Sequence, residues 1–215
     1  LPKVTFGFND TNDYYAQNLR TNGAYSTYDF MSKGEKLCEI ELVVPGNHNI
    51  YNSLAAAATA AYLGATPKEI AENLHKFTGV HRRFEILGKP QGITVADDFA
   101  HHPTELTAVL NSAMNMGFKR VRAVFQPHTF SRTAELLDGF AEALGKSKLD
   151  EIVLAEIYPA REINTYGISS EKLGEAVSAY GMNCRVINSF EGIAEYLKST
   201  LAKDDAVFVV GAGDV

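Results

Sequence analysis

Cysteine is scarce in the 215-residue chain: Cys38 and Cys184 are the only two, and they lie far apart. Two distant thiols exclude a disulfide-built secreted scaffold and point to a reduced, cytoplasmic protein. No apolar run approaches the roughly 20 residues that span a bilayer, and no signal-peptide pattern opens the chain, so membrane insertion is not expected. Positive charge is also short. Twenty Lys and Arg against 26 Asp and Glu leave a net charge of −6, which argues against nucleic acid as a partner. A phosphate-binding P-loop is missing as well. Gly145-Lys146-Ser147 imitates the end of one, but Gly139 lies one residue too far upstream, and a helical pattern leads in where a strand is required.

What is present is globular: 46% hydrophobic and 21% charged residues suffice for a substantial core in one or two domains. The first residue is Leu1, not methionine, and Gly211-Ala212-Gly213-Asp214-Val215 follows directly on the apolar run 206–210. Both ends read as cut, and the chain is expected to be a piece of a longer protein. Residues 1–44 read as short extended segments (4–8, 14–19, 25–30 and 36–44) broken by turns at Asn9-Asp10 and Lys33-Gly34. An alanine-rich helix is predicted over 48–63, closed by Gly64, and a second over 67–77. A boundary falls near Thr78-Gly79-Val80, dividing the chain into 1–78 and 79–215. Beyond it, strands (84–87, 93–96, 121–125, 151–155, 184–187, 206–210) alternate with helices (103–116, 131–144, 169–180, 189–201). That alternation predicts an α/β, Rossmann-like parallel sheet covered on both faces.

The densest chemistry is Asp97-Asp98-Phe99-Ala100-His101-His102-Pro103, two carboxylates and two imidazoles at a strand end, with Pro103 placed to open a helix. Phe125-Gln126-Pro127-His128-Thr129-Phe130-Ser131-Arg132 repeats that position after the next strand. Two adjacent strand ends carrying His101, His128 and Arg132 would make one pocket favouring an anionic group such as a carboxylate. Ala155 to Glu162 is placed to add a wall to it, or to be a plain loop. Asn49 and Asn52, three apart at a helix start, fall on one face, where their amides suit an adenine edge or serve as helix caps. Arg82 and Arg83 sit just past the boundary, as phosphate ligands between domains or as a solvated pair with Glu85 for partner.

Taken in order, Gly46-Asn47-His48-Asn49 with Asn52, Arg82-Arg83-Phe84-Glu85, Asp97 to Glu105, and Phe125 to Arg132 resemble the motifs of the Mur ligase family over essentially the whole chain. The resemblance implies that 1–78 is the C-terminal part of a central P-loop ATPase domain and 79–215 most of the C-terminal domain. It implies ATP contacts at His48, Asn49, Asn52, Arg83 and Asp98, and amino-acid contacts at Phe99, His101, His128 and Arg132. The P-loop and the Mg²⁺ ligands would then lie upstream, no metal site is expected within the chain, and no residue is expected as a nucleophile. The implied reaction joins L-alanine to UDP-N-acetylmuramate through an acyl phosphate in peptidoglycan synthesis, with the fragment inactive alone. Phe99 stands where alanine-adding members usually carry tyrosine, and a stem tripeptide is the alternative acceptor. A metal-dependent phosphoesterase built on Asp97, Asp98, His101, His102 and His128 is the competing class, although adjacent carboxylates on one strand point to opposite faces.

Overall fold

The computed structural model describes residues 3–22, 25–44 and 46–215. The chain divides into two compact units, Leu1–Gly79 and Val80–Val215. In the first, β1 (Phe6–Gly7), β2 (Tyr14–Asn22), β3 (Tyr25–Ser32) and β4 (Glu35–Leu42) form a sheet in sequence order, antiparallel except for the short β1–β2 pair. Tyr28, Phe30, Ile40 and Leu42 from its inner face pack against Ile50, Leu54 and Ala57 of α1 (Asn47–Tyr62) and Ile70 of α2 (Pro67–His75). Helix α2 starts where the sequence demands: Thr66 accepts from the Glu69 N–H and the Glu69 carboxylate reaches back to Thr66, a reciprocal cap ahead of Pro67.

The second unit is the α/β domain that the alternation predicts, with strand order β5-β6-β10-β7-β8-β9. Strands β6 (Thr94–Asp98), β10 (Ala206–Val210), β7 (Val121–Phe125), β8 (Glu151–Leu154) and β9 (Cys184–Val186) are parallel. One face carries α3 (Pro103–Met114), α5 (Leu137–Gly145) and α6 (Ser170–Ser178), whose Leu106, Leu110, Phe140, Leu144, Leu173 and Val177 close over Ala123, Phe125, Ile152, Leu154 and Phe208. The other face presents the alternate residues Val124, Val153 and Val207 to Ile193 of α7 (Phe190–Thr200).

Three expectations change. The sheet is not wholly parallel: β5 (Glu85–Gly88) runs antiparallel to β6, because the tight turn Pro90–Gly92 returns the chain at once and leaves no room for a crossover helix. The helix predicted over 131–144 is broken at Leu136 (φ −106°, ψ 20°) into α4 (Phe130–Glu135) and α5. Helix α4 is tied to a strand-end loop through Ser131 while α5 must lay Phe140 and Leu144 into the core, and the bend reconciles the two. Third, β6 and β7 are not neighbours. Strand β10 lies between them and pairs with both.

Phe208 on that central strand is 1% exposed and meets the rings of Phe84 and Phe118. Phe208→Ala is expected to cost about 3–5 kcal/mol of unfolding free energy. Urea denaturation of the chain measures it, and a loss below about 1 kcal/mol would mean that Phe208 is not a core anchor of the sheet.

Candidate active site

The C-terminal ends of β6, β7, β8 and β10 meet at one edge of the second unit's sheet, the edge where parallel α/β sheets bind ligands. Asp98, the last residue of β6, is 4% exposed, and its two carboxylate oxygens accept the N–H groups of Phe84 (2.7 Å) and Ala100 (2.8 Å). The turn that follows is held from both sides. The Phe99 N–H donates to the Arg82 carbonyl, and the Glu105 carboxylate receives the N–H groups of His101 and His102. Burial works to raise the Glu105 pKa, but the His101 N–H and the nearby charges of His101 and Arg83 outweigh it and hold the group below its ordinary value. His102 is spent locally: it caps α3 by accepting the Thr104 N–H.

Beyond β7 and β8 the two chains stay side by side. Tyr158 N–H donates to the Pro127 carbonyl and Thr129 N–H to the Tyr158 carbonyl, so His128 pairs with Tyr158 across the gap. The His128 ring stacks on Tyr158 at 5.4 Å between centroids and lies 6.2 Å from the ring of His101. The Arg132 guanidinium stands 3.5 Å from His128 Nδ1. Arginine has only donors, so a hydrogen bond in that contact requires Nδ1 as the acceptor and leaves the ring proton of a neutral imidazole to Nε2. Burial pushes the His128 pKa below its ordinary value, helped by the positive charges of Arg132 and His101 and opposed by Glu162. Glu162 itself is held low by the hydroxyl and N–H of Ser131, a contact that ties the loop after β8 to the start of α4.

His101, His128 and Arg132 thus come together although their strands are not adjacent, because the loops after β6 and β7 arch over the end of β10. Phe99 joins them, its ring edge-on to His101 at 5.5 Å and lying under the guanidiniums of Arg82 (5.2 Å) and Arg83 (5.7 Å). The arginine pair is divided. Arg82 is turned inward and bonded to Asp97, Gly211 and Gly213, while Arg83 is exposed. Glu85 partners His81 and the Arg82 backbone instead of the guanidiniums. Tyr158, Glu162 and Arg82 carry more of the architecture than the sequence suggested. The only signal for Tyr158 and Glu162 was that 155–162 follows a strand.

In the first unit, Gly46 (φ 100°) leads into α1, and the His48 ring folds back so closely that a Cβ on Gly46 would lie 2.6 Å from it. Neither asparagine caps the helix. Asn49 and Asn52 instead line, on one helix face as their spacing predicts, a cavity of about 440 Å³ walled by Val44, Ala56, Ala60 and Phe77. His48 is exposed and is not part of that lining.

The metal-dependent phosphoesterase is not supported by this arrangement. Asp97 and Asp98 are committed to Arg82 and to backbone N–H groups, and His102 to a helix cap. Among the described residues no group of three or more His, Cys, Asp or Glu side chains could hold a metal ion. No described helix is long and apolar enough to cross a membrane.

A mostly parallel sheet with a cluster of ionisable residues at its carboxyl edge is an α/β nucleotide-binding type of fold, and the chain belongs to the Mur ligase family. Residues 82–213 match the Mur ligase, glutamate ligase domain, and residues 1–60 the Mur ligase middle domain. Among its relatives, the UDP-N-acetylmuramate–L-alanine ligase of Clostridium novyi (strain NT) is 48% identical over 99% of this chain and 46% of its own length. That of Caldicellulosiruptor saccharolyticus is 44% identical over 94% of this chain and 44% of its own. The chain therefore spans just under half the length of such relatives. Of solved structures, the UDP-N-acetylmuramate–alanine ligase of Thermotoga maritima superposes with a TM-score of 0.80 at 28% identity, covering 98% of this chain and 45% of that one. The murein peptide ligase of Psychrobacter arcticus shares the fold, with a TM-score of 0.64 at 24% identity over 97% and 43%. The tripeptide acceptor and the phosphoesterase are not favoured by these relationships.

Because the folded state favours neutral His128, the unfolded chain binds that proton more readily, and the imidazole's contribution to stability is lost as pH falls below about 6.5. NMR titration of the ring protons is expected to place the His128 midpoint below 6.5, and Arg132→Gln to move it upward. An unmoved midpoint in Arg132→Gln would mean that burial alone depresses it.

Proposed function

We propose that the protein containing this chain is an ATP-dependent ligase that joins L-alanine to the carboxylate of UDP-N-acetylmuramate in peptidoglycan precursor synthesis. The observation that carries the reading is the convergence of His101, His128 and Arg132 on one sheet edge, in a chain whose relatives at 41–48% identity bear that ligase name. In this proposal Arg132 supplies the charge for the alanine carboxylate. His128, kept neutral, offers its Nε2–H as a donor without adding a second positive charge against the incoming amine. His101, with Nδ1 directed to the Phe99 carbonyl at 2.9 Å, presents its other ring nitrogen, and Phe99 supplies the apolar wall.

For ATP, Asn49 and Asn52 on the cavity of the first unit would read the adenine edge with their paired donors and acceptors, with His48 beside them. Asp98 is assigned to the ribose, as a carboxylate acceptor for its hydroxyl groups at the carboxyl end of β6. Arg83 is assigned to phosphate. The muramate carboxylate takes the γ-phosphoryl group of ATP to form an acyl phosphate and release ADP, and the alanine amine then attacks the acyl carbon, forming the amide as phosphate leaves and the amine loses a proton. Such catalysis rests on alignment and charge stabilisation, so no side chain is needed as a nucleophile. Mg²⁺ would neutralise phosphate charge. The described residues do not fit it, and its ligands are assigned to the upstream part of the protein together with the P-loop. The free thiols Cys38 and Cys184 suit a cytoplasmic setting.

Phosphate release by the full-length protein with ATP, Mg²⁺ and UDP-N-acetylmuramate is expected to depend on L-alanine. Dependence on a stem tripeptide instead would overturn the acceptor assignment. Arg132→Ala is expected to raise the alanine KM about 10- to 100-fold, the equivalent of one charged hydrogen bond of about 1.5–3 kcal/mol, while the ATP KM changes less than about twofold. Equal effects on both constants would remove Arg132 from the amino-acid pocket.

A further inference from the structure

We propose that Arg82 is a positioning residue that clasps the end of β6 to the turn after β10 and thereby sets the point from which Arg83 meets phosphate. The proposal rests on the phosphate assignment of Arg83 above. Adjacent in sequence, the two arginines have opposite surroundings. All three nitrogen groups of the Arg82 guanidinium are engaged: Nε donates to Asp97 Oδ2 (3.0 Å), Nη1 to the Gly213 carbonyl (3.1 Å) and Nη2 to the Gly211 carbonyl (2.8 Å). Its own backbone is also pinned, the N–H to Glu85 and the carbonyl to Phe99. Among the described residues no hydrogen bond or ion pair holds the Arg83 guanidinium, which rests over the Phe99 ring.

The backbone around Arg83 is strained. Arg82 (φ 56°) and Phe84 (φ 51°) both occupy the left-handed region, which non-glycine residues avoid unless their surroundings enforce it. Here the enforcing contacts are the Arg82 clasp and the Asp98 carboxylate on the Phe84 N–H. The same clasp reaches the amino-acid cluster. Gly213 is pressed so closely against Gln126 and Tyr158 that a Cβ would lie 2.2 Å from Gln126 Oε1 and 2.9 Å from the Tyr158 ring, and Tyr158 is the surface on which His128 stacks. Arg82 therefore links the residue that emerges toward phosphate with the wall behind the amino-acid pocket. Lysine cannot replace it, since a single ammonium has no planar fork to bridge a carboxylate and two carbonyls.

Arg82→Lys, Gly213→Ala and Arg83→Lys in the full-length protein separate the roles. Gly213→Ala disturbs the clasp from its far side without touching a charge, and stands in if Arg82→Lys fails to fold. Two readouts are needed: steady-state kinetics for ATP and L-alanine, and backbone amide exchange of residues 211–215 without nucleotide. Arg82→Lys and Gly213→Ala are expected to speed exchange in 211–215 at least tenfold and to raise both KM values, with kcat falling at least tenfold. Arg83→Lys is expected to change the ATP kinetics and leave exchange as it was. Arg82→Lys with unchanged kinetics, or with lost activity and unchanged exchange, would overturn the clasp, the second because Arg82 would then be acting on the ligand itself. Unchanged ATP kinetics in Arg83→Lys would overturn the phosphate assignment, and is told apart because exchange is read without nucleotide.

Discussion

The second unit depends on one buried carboxylate. Asp98 gives one oxygen to the N–H of Phe84 and the other to that of Ala100, and its own carbonyl accepts the Gly211 N–H. Three stretches of chain, before β5, after β6 and after β10, are thereby referred to a single residue at a strand end. Buried N–H groups left unpaired cost about 1–3 kcal/mol each, so the carboxylate does more than decorate a turn. It fixes where Phe99 and His101 emerge, and with Arg82 it determines the path of the chain into the sheet.

The opposite ends of the same strands are also charged, in a different way. Asp205 is fully buried against the Arg120 fork and the Ala202 N–H, and Glu151 faces Arg122, Arg185 and the Tyr196 hydroxyl. There the buried carboxylates are answered by guanidiniums, although Arg122 Nε, 3.4 Å from Glu151, has no hydrogen-bond partner among the described residues. At the carboxyl edge the balance is uneven: Asp97 Oδ1 and Gln126 Oε1 are buried without a partner among the described residues, and Arg83 stays exposed. One end of the sheet is closed by ion pairs, and the other keeps polar capacity in reserve.

Much of this was legible in the residues. The apolar runs and their spacing located the strands of the second unit and three of its helices, because parallel strands buried on both faces read as continuous Val, Ile and Ala stretches. The site loops were legible because ionisable residues cluster directly after such runs. Topology was not. That β10 inserts between β6 and β7 is decided by pairing over more than 80 residues of separation, which no local pattern records. Nor did the sequence distinguish Arg82 from Arg83. Their identical chemistry is divided by a left-handed backbone angle and by carbonyls about 130 residues away. The bend at Leu136 and the reversal at Pro90–Gly92 follow from what the flanking segments must bury and from the shortness of the turn.

The place of β10 bears on how the chain leaves the ribosome. Five of the six strands of the second unit are synthesised before it, yet the sheet has no continuous middle until residues 206–210 arrive. Until then the nascent chain holds a β5–β6 hairpin and a β7–β8–β9 ribbon, each ending in an unpaired edge of a kind that invites pairing with other chains. Among the described residues of the first unit, by contrast, the strands pair in sequence order. The interval before β10 emerges is therefore when premature termination or slow translation would expose the second unit to aggregation.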